Sequence, residues 1–227
     1  MRGLCSNGVK AVAIELIPEF ERARGIKLDI MWASTNMLLE ETNKGATGDL
    51  AILTDEAIDE LIRQGRIMAG SRVDLAQSAI GIAVRNGAPR PDIGSAEAFK
   101  QALLSARAIS YSKTGISGVY FPTVLDRLGI AEAVKSKTVI PTLGVPVGEI
   151  VARGDADIGV QQISELLPVP GIEVVGPLPP ALQKLTVFSA GIFVGAMEAD
   201  VARAMVTALT SATARNVYVG KGMEPMS

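Results

Sequence analysis

The residues with chemistry to offer cluster where apolar runs stop. Ile109-Ser110-Tyr111-Ser112-Lys113-Thr114-Gly115-Ile116-Ser117-Gly118-Val119-Tyr120 begins as a strand, turns through small hydroxyl and glycine residues, and passes directly into a helical pattern. Such a turn directs unpaired backbone N–H groups, and the positive end of the helix dipole, at one point. That point suits an anion. The same syntax occurs twice earlier: Leu4-Cys5 leads into Ser6-Asn7-Gly8, and Ile30-Met31-Trp32-Ala33 leads into Ser34-Thr35-Asn36. Neutral donors of this kind solvate a permanently charged oxyanion without needing a counter-charge. The expectation is that the three turns converge on one small oxyanion. For Ser6, Ser34 and Ser117 the plainer role is helix N-capping, which uses the same geometry.

Other chemistries have less to work with. The 227 residues include no histidine, which removes Ser-His-Asp and Cys-His catalysis and histidine-ligated metals together. Cys5 is the single cysteine, so no internal disulfide forms, and its place at a strand end reads as buried and structural. Asp155 and Asp157 stand two apart without a third and fourth ligand nearby, so no protein-held metal and no cofactor are expected. Lys113 reads as a solvated loop residue or as a partner for a ligand carboxylate. Tyr111 alternates with Ser110 and Ser112 and could face either way, while Tyr120 reads as core. Asp49 after Gly48 suits a turn hydrogen bond, Glu149 suits the first turn of a helix, and Trp32 is expected to pack in the first lobe, two residues before Ser34.

The 22 Lys and Arg are dispersed among 24 Asp and Glu for a net charge of -2, and only 9 aromatics are available for stacking, so no nucleic-acid surface is expected. Hydrophobic residues at 48% and charged residues at 20% are ordinary for a soluble globular protein. No apolar run approaches the roughly 18 residues that span a bilayer, so direct membrane insertion is not expected. The longest candidate, Val187 to Met197, is broken by Ser189, Gly191 and Gly195. Met1-Arg2-Gly3-Leu4 runs into the first strand without a leader pattern. The expectation is therefore a cytoplasmic protein, or one whose export signal is removed or left out.

Apolar and helical patterns alternate in the order that positions these turns: strand near 2–5, helix 9–24, strand 27–33, helix 35–44, strand 49–53 and helix 55–64. This is the alternation of a parallel sheet covered by helices on both faces. Pro18 predicts a kink or restart in the first helix. Residues 78–84 read as a buried strand and Asn86-Gly87-Ala88-Pro89-Arg90-Pro91 as loop. A second set follows: helix 95–105, strand 107–112, helix 118–128, strand 137–140, helix 147–153, strand 157–160 and helix 162–167. Prolines then mark an irregular return with a short strand at 172–175, the apolar segment Leu185 to Val194 carries the chain back, and helix 198–215 finishes it. Two apolar crossings thus bracket a middle domain. The pattern predicts an α/β protein of two lobes, 1–82 with 187–227 and 83–186, each a mostly parallel sheet flanked by helices. A two-strand hinge joins the lobes in this reading, with a ligand cleft between them.

The turns Cys5-Ser6-Asn7-Gly8 and Ala33-Ser34-Thr35-Asn36, followed by Thr47-Gly48-Asp49-Leu50-Ala51-Ile52, resemble the molybdate-binding (ModA-like) periplasmic solute-binding proteins. Ser117-Gly118-Val119-Tyr120, Val145-Pro146-Val147-Gly148-Glu149 and Arg153-Gly154-Asp155-Ala156-Asp157-Ile158-Gly159-Val160 fall in that family's order and spacing, so the resemblance covers nearly the whole chain. It implies a type 2 periplasmic-binding-protein fold with hydroxyl and amide donors at Ser6 and Ser34 in the first lobe. From the second lobe it implies backbone amides at Ser117 and Val147. The family often places a tyrosine hydroxyl where this chain has Gln161, and Asn7 and Thr35 also alter the polar ring. A ring changed in this way suits a larger organic anion such as a carboxylate.

The resemblance further implies a monomer in the periplasm that delivers a small anionic ligand to the membrane subunits of an ABC-type importer, with no catalytic residue. The alternative comes from proteins similar to this family that include an aconitate isomerase, which moves a double bond in a tricarboxylate. That reaction needs a base for an allylic proton and donors for the resulting carbanion. Lys113, Tyr111 or Glu149 would supply the proton-transfer group.

Overall fold

A computed structural model describes residues 1–226; Ser227, the last residue of the expected first lobe, lies outside the described residues. The chain forms two compact units, residues 1–78 with 186 onward, and residues 79–185, so it crosses from one to the other once in each direction.

In chain order the first unit contains β1 (Arg2–Ser6), α1 (Lys10–Arg24), β2 (Asp29–Ala33), α2 (Thr35–Asn43), β3 (Leu50–Thr54), α3 (Asp55–Arg63) and β4 (Val73–Ser78). The second contains β5 (Ile80–Arg85), α4 (Ala96–Ser105), β6 (Ile109–Tyr111), α5 (Ile116–Arg127), α6 (Ala131–Lys135), β7 (Thr138–Val139), α7 (Val147–Arg153), β8 (Ile158–Gln162), α8 (Ile163–Leu166) and β9 (Ile172–Pro177). The return to the first unit adds β10 (Thr186–Ile192), α9 (Ala199–Leu209), α10 (Ala212–Gly220) and β11 (Met223–Pro225).

The first sheet runs β11-β4-β10-β3-β1-β2. Its strands alternate strictly because both faces are covered. On β3, Leu50 and Ile52 pack with Val12, Phe20, Phe188, Met205 and Leu209 under α1 and α9, whereas Ala51 and Leu53 pack with Leu38, Ile58 and Leu61 under α2 and α3. Each fully buried Leu, Ile or Phe contributes roughly 1.5–3 kcal/mol relative to exposure. Burial also settles Cys5: with 1% of its surface accessible, its thiol is pushed up to about 12, so it is a packing residue and a poor nucleophile.

The second sheet runs β7-β6-β8-β5-β9. One face buries Ile82, Phe99, Ile109, Phe121, Val124 and Val160. The other places Ile150 and Val151 of α7 against Ala108 and Ala156.

Several elements depart from the sequence expectation. The β2-β1-β3 and β7-β6-β8 ladders are parallel, but β10, β4, β11, β5 and β9 all pair antiparallel, so both sheets are mixed. Those are the strands where the chain crosses or ends, and such strands need no helical crossover to reach a neighbour. β11 and α6 carry apolar signals too short to be read locally, and β4, Val-Asp-Leu-Ala-Gln-Ser, is interrupted by polar residues. The helix expected at 198–215 is two helices, because Ser211 leaves the helical conformation and its hydroxyl accepts from the Ala214 N–H to start α10. Pro18 does not divide α1, which is continuous from Lys10 to Arg24. The preceding turn, Asn7–Val9, is a 3-10 turn capped by Ser6.

Candidate functional site

In the first unit the register of β1 and β2 pairs Cys5 with Trp32 and Ser6 with Ala33, so Ser6 and Ser34 end neighbouring parallel strands. Both serve as caps. Ser6 Oγ accepts from the Gly8 N–H at 3.3 Å and Ser34 Oγ from the Met37 N–H at 3.4 Å. A serine that accepts through a lone pair keeps its own O–H to donate, so capping does not consume its capacity to bind an anion. Thr54 ends β3 on the other side of β1 and caps α3 by accepting from the Ala57 N–H. It is a third strand-end hydroxyl in this row, passed over in the sequence although Thr-Asp-Glu after an apolar run is a helix-start signature. Asn7 is partly buried in the 3-10 turn.

Thr35 opens α2. It is 1% exposed, and its Oγ1 has no hydrogen-bond partner among the described residues. A buried hydroxyl left unpaired costs about 1–3 kcal/mol. The side-chain oxygens orphaned in this way are those of Thr35, Ser110, Ser117 and Tyr218. Thr35 and Ser117 lie in the first turns of helices that follow parallel strands, and Ser110 is the middle residue of the short strand β6.

In the second unit β6 and β8 run parallel with Tyr111 opposite Val160, so Ser112 and Gln161 come next on adjacent strands. Ser112 shapes the turn: its Oγ accepts from the Gly115 N–H at 3.1 Å. A Cβ on Gly118 would stand 1.8 Å from the Ser112 carbonyl oxygen, so this position accepts glycine alone. Ser117, 1% exposed, sits in the first turn of α5 with its Oγ orphaned, and no side chain caps that helix.

Gln161 is 7% exposed on β8 and makes contacts that the sequence did not reveal. Its Oε1 accepts the Val147 N–H at 3.2 Å, and its Nε2 donates to Glu165 Oε1 at 3.0 Å. The Val147 amide, expected to be free for a ligand, is thus taken up by Gln161 here. Glu165 was not singled out in the sequence, where its solvent exclusion leaves no local signal. Burial lifts its carboxyl to about 7, and the Gln161 hydrogen bond only partly opposes that rise.

Each residue expected as a proton-transfer group has surroundings of its own. Lys113 is exposed on the loop. Glu149 is engaged by Arg153 at 2.7 Å. Tyr111 packs edge-on against Phe121 with ring centroids 5.1 Å apart, and desolvation raises its hydroxyl further above neutrality. The Tyr120 hydroxyl donates to the Leu182 carbonyl at 3.1 Å, a structural tie.

Two more residues have structural roles. Asp49 is 6% exposed; burial works to raise its carboxyl, but the Arg2, Glu198 and Met197 N–H groups outweigh it and hold the carboxyl below its usual value. Asp157 is tied to the Arg107 backbone and guanidinium. Among the described residues no three His, Cys, Asp or Glu side chains group as a metal site, and no helix is long and apolar enough to cross a membrane.

Comparison with known proteins identifies the family and the fold. The chain is 37% identical over 230 residues to an aconitate isomerase from Pseudomonas sp, spanning 98% of this chain and 87% of that protein. It is 26% identical over 153 residues to the molybdate-binding protein ModA of Azotobacter vinelandii, spanning 67% of this chain and 60% of that protein. The structure of the Azotobacter vinelandii periplasmic molybdate-binding protein superposes with a TM-score of 0.77 at 18% identity over 100% of both chains, a likeness of fold. The family described as bacterial extracellular solute-binding protein matches residues 2–224, and the chain belongs to that family.

Proposed function

We propose that this protein captures a small organic polycarboxylate in the periplasm and hands it to the membrane subunits of an ABC-type importer. The observation that carries the reading is the pair of buried, unpartnered hydroxyls, Thr35 Oγ1 and Ser117 Oγ, in the first turns of α2 and α5. Each lies where helix N–H groups and the helix dipole already favour an anion, and a ligand oxygen would supply the missing partner. Ser6, Asn7 and Ser34 add neutral donors in the first unit; in the second, Gln161 and the Val147 N–H bond to each other and would have to exchange that bond to reach a ligand. Extensive identity to a protein named for a tricarboxylate favours a carboxylate over molybdate or tungstate.

Isothermal titration with cis-aconitate, trans-aconitate, citrate, molybdate, tungstate and sulfate tests the reading. Tightest binding is expected for a tricarboxylate, with affinity lowered by Ser34→Ala in the first unit and by Ser117→Ala in the second. A folded protein that binds none of the six anions overturns it, and loss confined to variants of one unit places the ligand on that unit alone.

A second reading is an isomerase acting on the bound tricarboxylate. The observation favouring it is a carboxyl that titrates near neutrality beside the candidate site.

A further inference from the structure

Glu165 stands out among the carboxylates of the second unit that are not exposed. Glu149, Asp157 and Glu173 each pair with an arginine, whereas among the described residues Glu165 has no cationic partner. Its hydrogen bond from Gln161 Nε2 engages Oε1. The connection continues through Gln161 Oε1 to the Val147 N–H, so the carboxyl is oriented by a backbone anchor on α7 rather than neutralised by a charge. It lies just past the carboxyl end of β8, beside the strand that leads to Ser112 and Ser117. A half-buried carboxyl without a counter-ion works against stability, and the solute-capture reading gives it no task that a glutamine would not perform.

We propose that Glu165 is the base that moves a proton between two carbons of a bound unsaturated tricarboxylate, with Gln161 as the residue that positions it. This rests on the polycarboxylate reading above and extends its isomerase form. The free Oε2 removes a proton from the methylene carbon lying between a carboxylate and the carbon–carbon double bond. The C–H electron pair spreads over the three-carbon allylic system and onto the adjoining carboxylates. The neutral Glu165 acid, whose proton exchanges with water during the lifetime of the carbanion, then protonates the far carbon, so the double bond shifts by one position and the carboxylate is regenerated. Atoms, charge and oxidation state balance without a co-reactant. Serine hydroxyls and backbone N–H groups stabilise the extra negative charge as it reaches the carboxylate oxygens. The carboxyl's pKa near 7 suits a base that must be ionised in the resting state yet basic enough to take a carbon-bound proton. Lys113, Glu149 and Tyr111 are displaced from this role by solvation, by Arg153 and by the Phe121 ring respectively.

The test incubates the full chain with cis-aconitate or trans-aconitate, in water and in deuterium oxide, and follows both isomers by proton NMR while titration calorimetry measures binding. The wild-type protein is expected to interconvert the isomers and to wash deuterium into the methylene position. Glu165→Gln should slow both by about 100-fold or more while Kd stays within about threefold. Glu165→Asp, which keeps the charge and shortens the reach, should lower kcat with little change in KM and serves if the glutamine variant does not fold. Gln161→Ala should lower kcat, with part of the rate restored in Gln161→Asn. Turnover that survives both Glu165 variants overturns the assignment, as does a wild-type protein that binds aconitate but neither isomerises it nor exchanges deuterium. A wild-type protein that fails to bind any tricarboxylate overturns the polycarboxylate reading itself.

Discussion

The side-chain amide of Gln183 pairs with both backbone groups of Ile80: Nε2 donates to the Ile80 carbonyl at 2.9 Å, and Oε1 accepts the Ile80 N–H at 3.0 Å. Ile80 is the second residue of the second unit, and Gln183 is the third from its end. The Ile80 carbonyl also accepts the Leu178 N–H at 2.9 Å, so this side chain supplements backbone pairing where the chain enters and leaves that unit. Gln183→Leu keeps the bulk and removes both bonds, and should cost about 1–3 kcal/mol in urea unfolding. Unchanged stability would mean that water replaces the amide without loss.

The orphaned hydroxyls make an unusual stability forecast. Thr35→Val and Ser117→Ala each delete a buried oxygen that lacks a partner, so the melting temperature should hold or rise slightly. Affinity for the bound anion should fall about tenfold for each, equivalent to about 1.4 kcal/mol. Loss of stability without loss of affinity would assign these oxygens to packing.

Glu165 should impose a pH dependence on folding. Its folded pKa is raised from an ordinary 4.5 to about 7, so the folded state holds a proton that the unfolded chain releases more readily. Below about pH 4.5 both states are protonated and burial carries no charge penalty. As pH rises from 4.5 through 7 the buried carboxyl must ionise, and stability should decline by on the order of 1–3 kcal/mol. Glu165→Gln should therefore match the wild type near pH 4.5 and exceed it at pH 8 in denaturant titrations. A constant difference between the two proteins at both pH values would contradict the shift.

Gly118→Ala places a methyl group 1.8 Å from the Ser112 carbonyl oxygen, which is backbone and has little room to yield. The turn from β6 into α5 should rearrange. The expected result is a loss of several kcal/mol, read as a lower urea midpoint, together with loss of anion affinity beyond that of Ser117→Ala. Retention of both would show that the turn can shift as a body.

Much of this arrangement could be read along the chain because it is local. Strand, small-residue turn and helix start are written within a dozen residues, and the Ser34 cap on Met37 needs nothing farther away than three positions. The unbroken apolar run Leu50 to Leu53 likewise marks a short strand buried on both faces before any partner is known.

What the amino-acid order determined by itself was therefore the α/β alternation, the row of hydroxyl and amide donors, and the absence of histidine chemistry. Tertiary structure alone decided that β10 and β5 run antiparallel to their neighbours, because pairing depends on where a crossing chain lands rather than on its composition. It also decided that Gln161 occupies the Val147 amide and that Glu165, undistinguished in the sequence, is the perturbed carboxyl. Solvent exclusion is a property of everything packed around a group, and no short stretch of residues encodes it.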